Sequence, residues 1–161
     1  MLRAQFPRLI VRCGKARLIG TATAPDHSLE FSKKSADGSG KATLIRSMTG
    51  LQTPGVLFEI EARERDALDR AEGAGAGYDR IDELNICTTV GTIAVTTYLA
   101  TVKDSDLIPF DWYQALVIAG ALEHALPSNH VDHLRAIDHR PDPDTGRKSR
   151  GEALEALTGH G

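Results

Sequence analysis

A carboxylate stands at an awkward place in this sequence. Glu61-Ala62-Arg63-Glu64-Arg65-Asp66-Ala67-Leu68-Asp69-Arg70-Ala71-Glu72 is rich in helix formers, and Ile60, Ala67, Leu68 and Ala71 recur at helical spacing. Glu61 with Arg65, and Asp66 with Arg70, are i,i+4 pairs in the favourable order. Gly73-Ala74-Gly75-Ala76-Gly77 then stops the helix, because glycine accepts the left-handed backbone a cap needs. Glu72 therefore falls in the last turn, against the negative end of the helix dipole, at a cost of about 0.3–1 kcal/mol. The same field disfavours ionisation and pushes the carboxyl upward in pKa, more so if it is buried beside Tyr78. A carboxyl tuned in this way suits general acid/base work. The bland alternative is an exposed Glu at a frayed helix end.

Other chemistry-bearing residues point to less. Gly38-Ser39-Gly40-Lys41 is followed by Ala42 instead of Ser or Thr, and Ser35 stands where the first glycine of a phosphate loop belongs. Gly73–Gly77 follows a helix rather than a strand, with Tyr78 in place of the third dinucleotide-loop glycine. His130 and His133 supply two donors at i,i+3, whereas a metal needs three or four, so a solvated helix face is the plainer reading. No metal and no cofactor is expected. Cys13 has no base partner in sequence, and Cys13 and Cys87 form neither a disulfide framework nor a zinc motif. Arg147-Lys148-Ser149-Arg150 reads as a solvated basic stretch near the carboxyl terminus.

The elements that must position Glu72 follow from local pattern. Strand signals cover Ala16–Thr21, Ser28–Ser32, Lys41–Ile45 and Val56–Ile60, with turn chemistry at Ala24-Pro25-Asp26 and a loop over Ser35–Gly40. Two β-prone segments, Tyr78–Thr89 and Thr92–Leu99, flank Gly91 as a hairpin turn. Asp111–His124 reads as a helix that Pro127-Ser128 ends, capping a second helix that reaches about Ile137. Beyond His139 come a Pro-rich turn and a polar tail with one weak helical patch, Glu152–Leu157. Strands first and helices mostly last indicate an α+β fold.

Composition bounds the rest. The chain has 161 residues, one domain's worth, with 25% charged residues and a net charge of −3. That near-balance argues against disorder and against a nucleic-acid partner held by bulk charge. No run approaches the apolar length of a membrane span, and Met1–Pro7 has no signal-peptide core. Cytoplasmic location is the expectation.

Around Glu72 the residues Leu68-Asp69-Arg70-Ala71-Glu72-Gly73, with Tyr78 shortly after, resemble the L-D-x-x-E-G segment of the gamma-glutamylcyclotransferase-like family. Phe31–Ser35 with Asp37-Gly38-Ser39-Gly40-Lys41-Ala42 is similar to the family's F-x-x-x-S…D-G-S-G-K-A stretch. Gly55-Val56-Leu57-Phe58, Thr97-Tyr98, Tyr113, Gly120-Ala121 and Leu126-Pro127 follow in the family's order. The resemblance spans residues 1–139 and leaves 140–161 as a polar tail.

The resemblance implies a small mixed β-barrel flanked by helices. It also implies cleavage of a small-molecule γ-glutamyl substrate without water, metal or cofactor. The substrate's own α-amine attacks the γ-carbonyl, giving 5-oxoproline and releasing an amine, an amino acid or the Cys-Gly of glutathione, a lyase-type reaction. Carried over, Glu72 is the general acid/base, while Tyr78, Tyr98 and Ser35 bind substrate. An α-ammonium titrates about 3.7 above an ordinary Glu, so proton transfer runs uphill by roughly 5 kcal/mol. Dipole and burial both push Glu72 in the direction that lowers this. Oligomeric state is open, a homodimer included. The family's Y-G-S-N loop has no counterpart; Met1-Leu2 and Arg12-Cys13 look like the sequence that follows it. That departure carries the expectation of a start upstream of Met1, with a non-catalytic γ-glutamyl-binding module or a different N-terminal arrangement in place of the loop as the alternatives.

Overall fold

The computed structural model describes residues 15–48 and 50–159, so Met1-Leu2 and Arg12-Cys13 lie outside the described residues. The chain forms strands β1 (Arg17–Pro25), β2 (His27–Lys34), β3 (Gly40–Arg46) and β4 (Gln52–Glu59). A 3-10 turn, Ala62–Glu64, leads into helix α1 (Arg65–Glu72). Strands β5 (Tyr78–Thr88) and β6 (Gly91–Ala100) precede α2 (Asp111–Glu123), α3 (Ser128–Ala136) and α4 (Lys148–Thr158). The α+β class holds, but the strands outrun the short apolar cores that mark them. Antiparallel partners extend each strand into polar residues, as where Arg17 opposes Glu59 and joins it at 2.6 Å.

Among the described residues the strands do not close into the expected barrel. Among the described residues the ladders are antiparallel and form two separate sheets, β4-β1-β5-β6 and β2-β3. The sheets meet through side chains and single bonds: the Ala100 N–H donates to Thr43 Oγ1 at 3.0 Å, and the Lys34 N–H to the Val102 carbonyl at 3.1 Å. Because a hydroxyl takes the place of a ladder carbonyl, backbone pairing does not propagate from β3 to β6. The β5–β6 hairpin is likewise refined. Thr88 pairs with Gly91, so the loop is Thr89-Val90, and Gly91 opens β6. The Thr88 side chain builds that loop, donating to the Gly91 carbonyl at 2.8 Å.

Packing holds the helices in three places. Phe31 of β2 packs with Val117, Ala121, Leu126, Val131 and Leu134, fixing α2 and α3 on the β2–β3 hairpin. Gln114 Nε2 donates to the Leu134 and Ile137 carbonyls at 2.9 and 2.7 Å, closing the open end of α3. Pro127, not Ser128, occupies the N-cap of α3. Leu68 of α1, buried against Phe58, Ile60 and Tyr98, anchors that helix on the four-stranded sheet, a burial worth about 2 kcal/mol.

The weak helical patch at the carboxyl end widens into α4, whose Ala153 is buried with Phe110, Trp112 and Leu116. Arg147, read from sequence as solvated, instead clamps Asp142: Nε donates to Oδ2 at 2.6 Å and Nη2 to Oδ1 at 3.2 Å. Trp112 Nε1 and the Asp144 N–H complete that carboxylate's partners at 3.0 and 2.9 Å. These bonds hold Asp142 well below the usual carboxylate range, with the Arg147 bond the largest cause.

Candidate active site

The end of α1 decides where Glu72 goes. Gly73 takes a left-handed conformation (φ 72°) and donates to the Arg70 carbonyl at 3.3 Å, while the Ala74 N–H reaches the Asp69 carbonyl at 2.8 Å. These two bonds are a Schellman stop, and they leave Glu72 as the last helical residue. Gly75 (φ 80°) then donates to the Tyr78 carbonyl at 2.8 Å, so the loop folds back tightly. Its far end is tied to the sheet by the Thr101 N–H on the Gly77 carbonyl at 3.1 Å. Lys33 runs along Gly77, with Nζ 4.8 Å from the Tyr78 ring centroid. A side chain at Gly77 would meet that lysine.

A cavity of about 640 Å³ opens between the sheets and α2. Glu72, Tyr78, Tyr98 and Tyr113 line it, together with aliphatic walls that include Leu29, Leu44, Val56, Leu84 and Ile86. The chain has three tyrosines, and all three face this cavity. Each comes from a different element: β5, β6 and α2.

Their hydroxyls are held in defined directions. Tyr98 donates to Asp69 Oδ1 at 2.6 Å, and Arg80 pairs with the other oxygen of Asp69. Tyr78 donates to the Ala42 carbonyl at 3.2 Å, and the Ala42 N–H donates to the Tyr113 oxygen at 3.2 Å. One peptide group of β3 thus joins two of the phenols. Tyr113 is wedged edge-on against Phe31 and Trp112, with centroids 5.9 Å away in each case.

Electrostatics links the phenols to the carboxylate. Burial raises the pKa of all three, and the charge of Glu72 raises each further. Tyr113 is pushed up to about 12, the Ala42 N–H opposing that rise. For Tyr98 the bond to Asp69 adds to the rise. At neutral pH the cavity therefore sets a carboxyl group among three protonated phenols, an arrangement able to take up, hold and return a proton.

The residues singled out from sequence separate here. Glu72, Tyr78 and Tyr98 come together in the cavity wall. Ser35 sits in the β2–β3 turn, where its backbone bonds Gly38 and Ser39, and it is not among the lining residues. His130 also lines the cavity, with a pKa lowered by burial and by His133. Among the described residues no three His, Cys, Asp or Glu side chains converge as metal ligands. Sequence reasoning missed Asp69 and Ala42 as site supports, and weighed Tyr113 only as a motif position. Asp69 carried a usable signal, since it lies three residues before Glu72 on the same helix. Tyr113 carried no local one.

Comparison with known proteins agrees with this fold. The description "AIG2-like family" matches residues 53–134, the span that contains Glu72 and all three tyrosines. A Gamma-glutamylcyclotransferase from Homo sapiens is 28% identical over 148 residues, covering 88% of this chain and 77% of the relative. One from Mus musculus is 27% identical over 136 residues, covering 81% and 72%. A solved structure of a gamma-glutamyl cyclotransferase superposes with a TM-score of 0.81 at 27% identity, over 94% of this chain and 91% of that one. Among the described residues no helix is long and apolar enough to cross a membrane.

Proposed function

The chain belongs to the AIG2-like family, and from that membership we propose that it is a γ-glutamyl cyclotransferase with Glu72 as its general acid/base. The observation that carries the proposal is the placement of Glu72. A carboxylate that closes a helix stands at the wall of a cavity lined by three neutral phenols. At about 640 Å³ the cavity has the size of an ordinary small-molecule site.

The reaction needs little else. Glu72 removes a proton from the substrate's α-ammonium, and the freed amine attacks the γ-carbonyl carbon. A new C–N bond closes the five-membered ring, and nucleophile and electrophile share one chain, so little orientational entropy is lost. The tetrahedral adduct collapses by breaking the original γ-amide C–N bond. The departing nitrogen takes its proton back from Glu72. The products are 5-oxoproline and a free amine, amino acid or dipeptide such as Cys-Gly, and no water is consumed. A lyase-type classification, a place in glutathione metabolism and a cytoplasmic setting belong to the same reading.

The test is direct. The folded chain is incubated with γ-glutamyl dipeptides and γ-glutamyl amines, and 5-oxoproline is measured by chromatography. Release of 5-oxoproline that disappears in Glu72→Gln supports the assignment. Parental turnover in Glu72→Gln would exclude Glu72 as the base. A chain that binds these ligands and releases nothing is instead a γ-glutamyl-binding module.

A further inference from the structure

Helix α1 carries Arg65, Leu68, Asp69 and Glu72 at i, i+3, i+4 and i+7, one stripe on one face. Arg65, Leu68 and Glu72 of that stripe line the cavity. Asp69 lies three residues before Glu72, a spacing at which two negative charges on a helix oppose each other. The charge that answers Asp69 comes from another element. Arg80 stands two residues after Tyr78 in β5 and is the direct cross-strand partner of Tyr98 in β6. Its guanidinium pairs with Asp69 Oδ2, while Asp69 Oδ1 takes the Tyr98 hydrogen at 2.6 Å. Arg80 is held from its other side too. Its Nε pairs with Asp82 at 3.1 Å, and Asp82 accepts from Thr96 Oγ1 at 3.0 Å. The side chains of Arg80 and Asp69 are 29% and 21% exposed, so water screens this pair less than one on an open surface.

We propose that Arg80 is a positioning residue of the cyclotransferase site, acting through Asp69 to fix the Tyr98 hydroxyl and to offset the negative charge beside Glu72. The inference rests on the cyclotransferase reading above. With Arg80 in place both oxygens of Asp69 are engaged, and Tyr98 keeps its hydrogen on Asp69. Burial raises the Tyr98 pKa, the Asp69 bond and the charges of Asp69 and Glu72 raise it further, and Arg80 opposes them. The four side chains therefore act on one another. Without Arg80, the charge of Asp69 one turn below favours the protonated form of Glu72, the form that cannot accept a proton from substrate. The other titratable groups at the cavity are Arg65 on α1, Glu61 ahead of it, the phenols of β5, β6 and α2, and His130 of α3. Lys33 of β2 lies over the Tyr78 ring. All of these are the same in parent and Arg80 variants, so a difference between the two reports Arg80.

The first test is a pH profile of kcat for 5-oxoproline release, whose acid limb reports the base in the bound complex. Arg80→Met keeps an unbranched stem and removes the charge. Its acid limb should move up by about 0.3–1 pH unit, and its plateau kcat should fall about tenfold. Arg80→Lys restores the charge without the planar fork, and its limb should return to within about 0.2 of the parent. An Arg80→Met limb at the parental position would overturn the assignment. So would equal limbs in the Met and Lys variants, which would make Arg80 a matter of packing alone.

The second test needs no turnover. With tyrosine labelled at Cζ and Tyr98 assigned from Tyr98→Phe, the Tyr98 NMR resonance at neutral pH should move in Arg80→Met by more than those of Tyr78 and Tyr113. A Tyr98 resonance that stays still, or three equal displacements, would overturn the proposal. If Arg80→Met does not fold, Arg80→Gln, which keeps a donor for Asp69 without the charge, replaces it in both measurements. A parent that releases no 5-oxoproline counts against the cyclotransferase reading, and the Tyr98 resonance still decides for or against Arg80. A parent that turns over beside an Arg80→Met limb that does not move counts against Arg80 alone.

Discussion

Asp142 and Glu72 are carboxylates that the fold treats in opposite ways. The Asp142 side chain is completely shielded from solvent, and four hydrogen bonds from Arg147, Trp112 and the Asp144 amide satisfy it. Glu72 is half-buried at the carbonyl end of α1, beside a cavity whose polar lining includes three phenols that keep their protons, together with Arg65 and His130. The first arrangement stabilises the charged form and closes the site off. The second sets a carboxyl group where its charge is poorly served by the helix and well placed for exchange with a ligand. A carboxylate clamped by an arginine and closed off from solvent is structural, whereas one at the wall of an open cavity is within reach of a ligand.

Exchanging the two behaviours would break this contrast. The largest expected effect is on turnover: Glu72→Gln should lower kcat for 5-oxoproline release by about 10²–10⁴-fold. The same variant should melt no earlier than the parent, since it lifts a negative charge from the helix carboxyl end and gains about 0.3–1 kcal/mol. A clear fall in its Tm would place Glu72 with Asp142 as a structural residue. Asp142→Asn should do the reverse. It removes the charge that Arg147 clamps, leaving that guanidinium only the looser Asp144 contact at 4.0 Å, and calorimetry should show a Tm lower by on the order of 10 °C. Turnover by its folded form should stay within about threefold of the parent.

Acid titration sharpens the same comparison. Asp142 has a folded pKa below its unfolded value, so its contribution is present above the unfolded value near 3.9 and is lost as pH falls through the folded one. The Tm gap between parent and Asp142→Asn should therefore be full above about pH 5 and narrow on acidification below about pH 4. A gap that does not change with pH would mean that packing, not charge, makes Asp142 matter.

The smallest effect concerns how helices stop. Helix α2 ends with the same bond pattern as α1, Leu126 N–H on the Ala121 carbonyl at 2.9 Å and Ala125 N–H on the Leu122 carbonyl at 3.1 Å. Here the left-handed position is held by Ala125 (φ 49°) instead of glycine. Ala125→Gly should relieve that strain and raise stability by about 0.5–1 kcal/mol, seen as a Tm higher by about 1–4 °C. No such gain is available at the end of α1, where Gly73 already fills the position.

Much of α1 could be read from sequence, because its information is local. The apolar positions and the glycine stop lie within one short stretch and together placed Glu72 in the last turn, although Glu61 lies ahead of the helix and pairs with Lys15 and Arg63 instead of Arg65. The convergence of Tyr78, Tyr98 and Tyr113 was not legible from spacing. It depends on how β5, β6 and α2 pack, and only the family resemblance put the first two at the site. Helix α4 was underestimated for a similar reason. Its signal is weak, and its place is fixed by Ala153 against Phe110 and Trp112, with Arg147 reaching back to Asp142. Barrel closure was not legible because it depends on backbone pairing between distant strands, and among the described residues Thr43 supplies a side chain to Ala100 instead.

The crowding of aromatic rings has an optical consequence. The chain has one tryptophan, Trp112, and its ring lies edge-on to Tyr113 with centroids 5.9 Å apart. Light absorbed by the tyrosines, all of them at the cavity, passes by energy transfer to an indole that Asp142 holds fixed just behind the wall. A ligand that shifts Tyr113 should therefore change the emission of an indole that does not itself line the cavity. Intrinsic fluorescence then offers a readout of occupancy that needs neither a dye nor an added label.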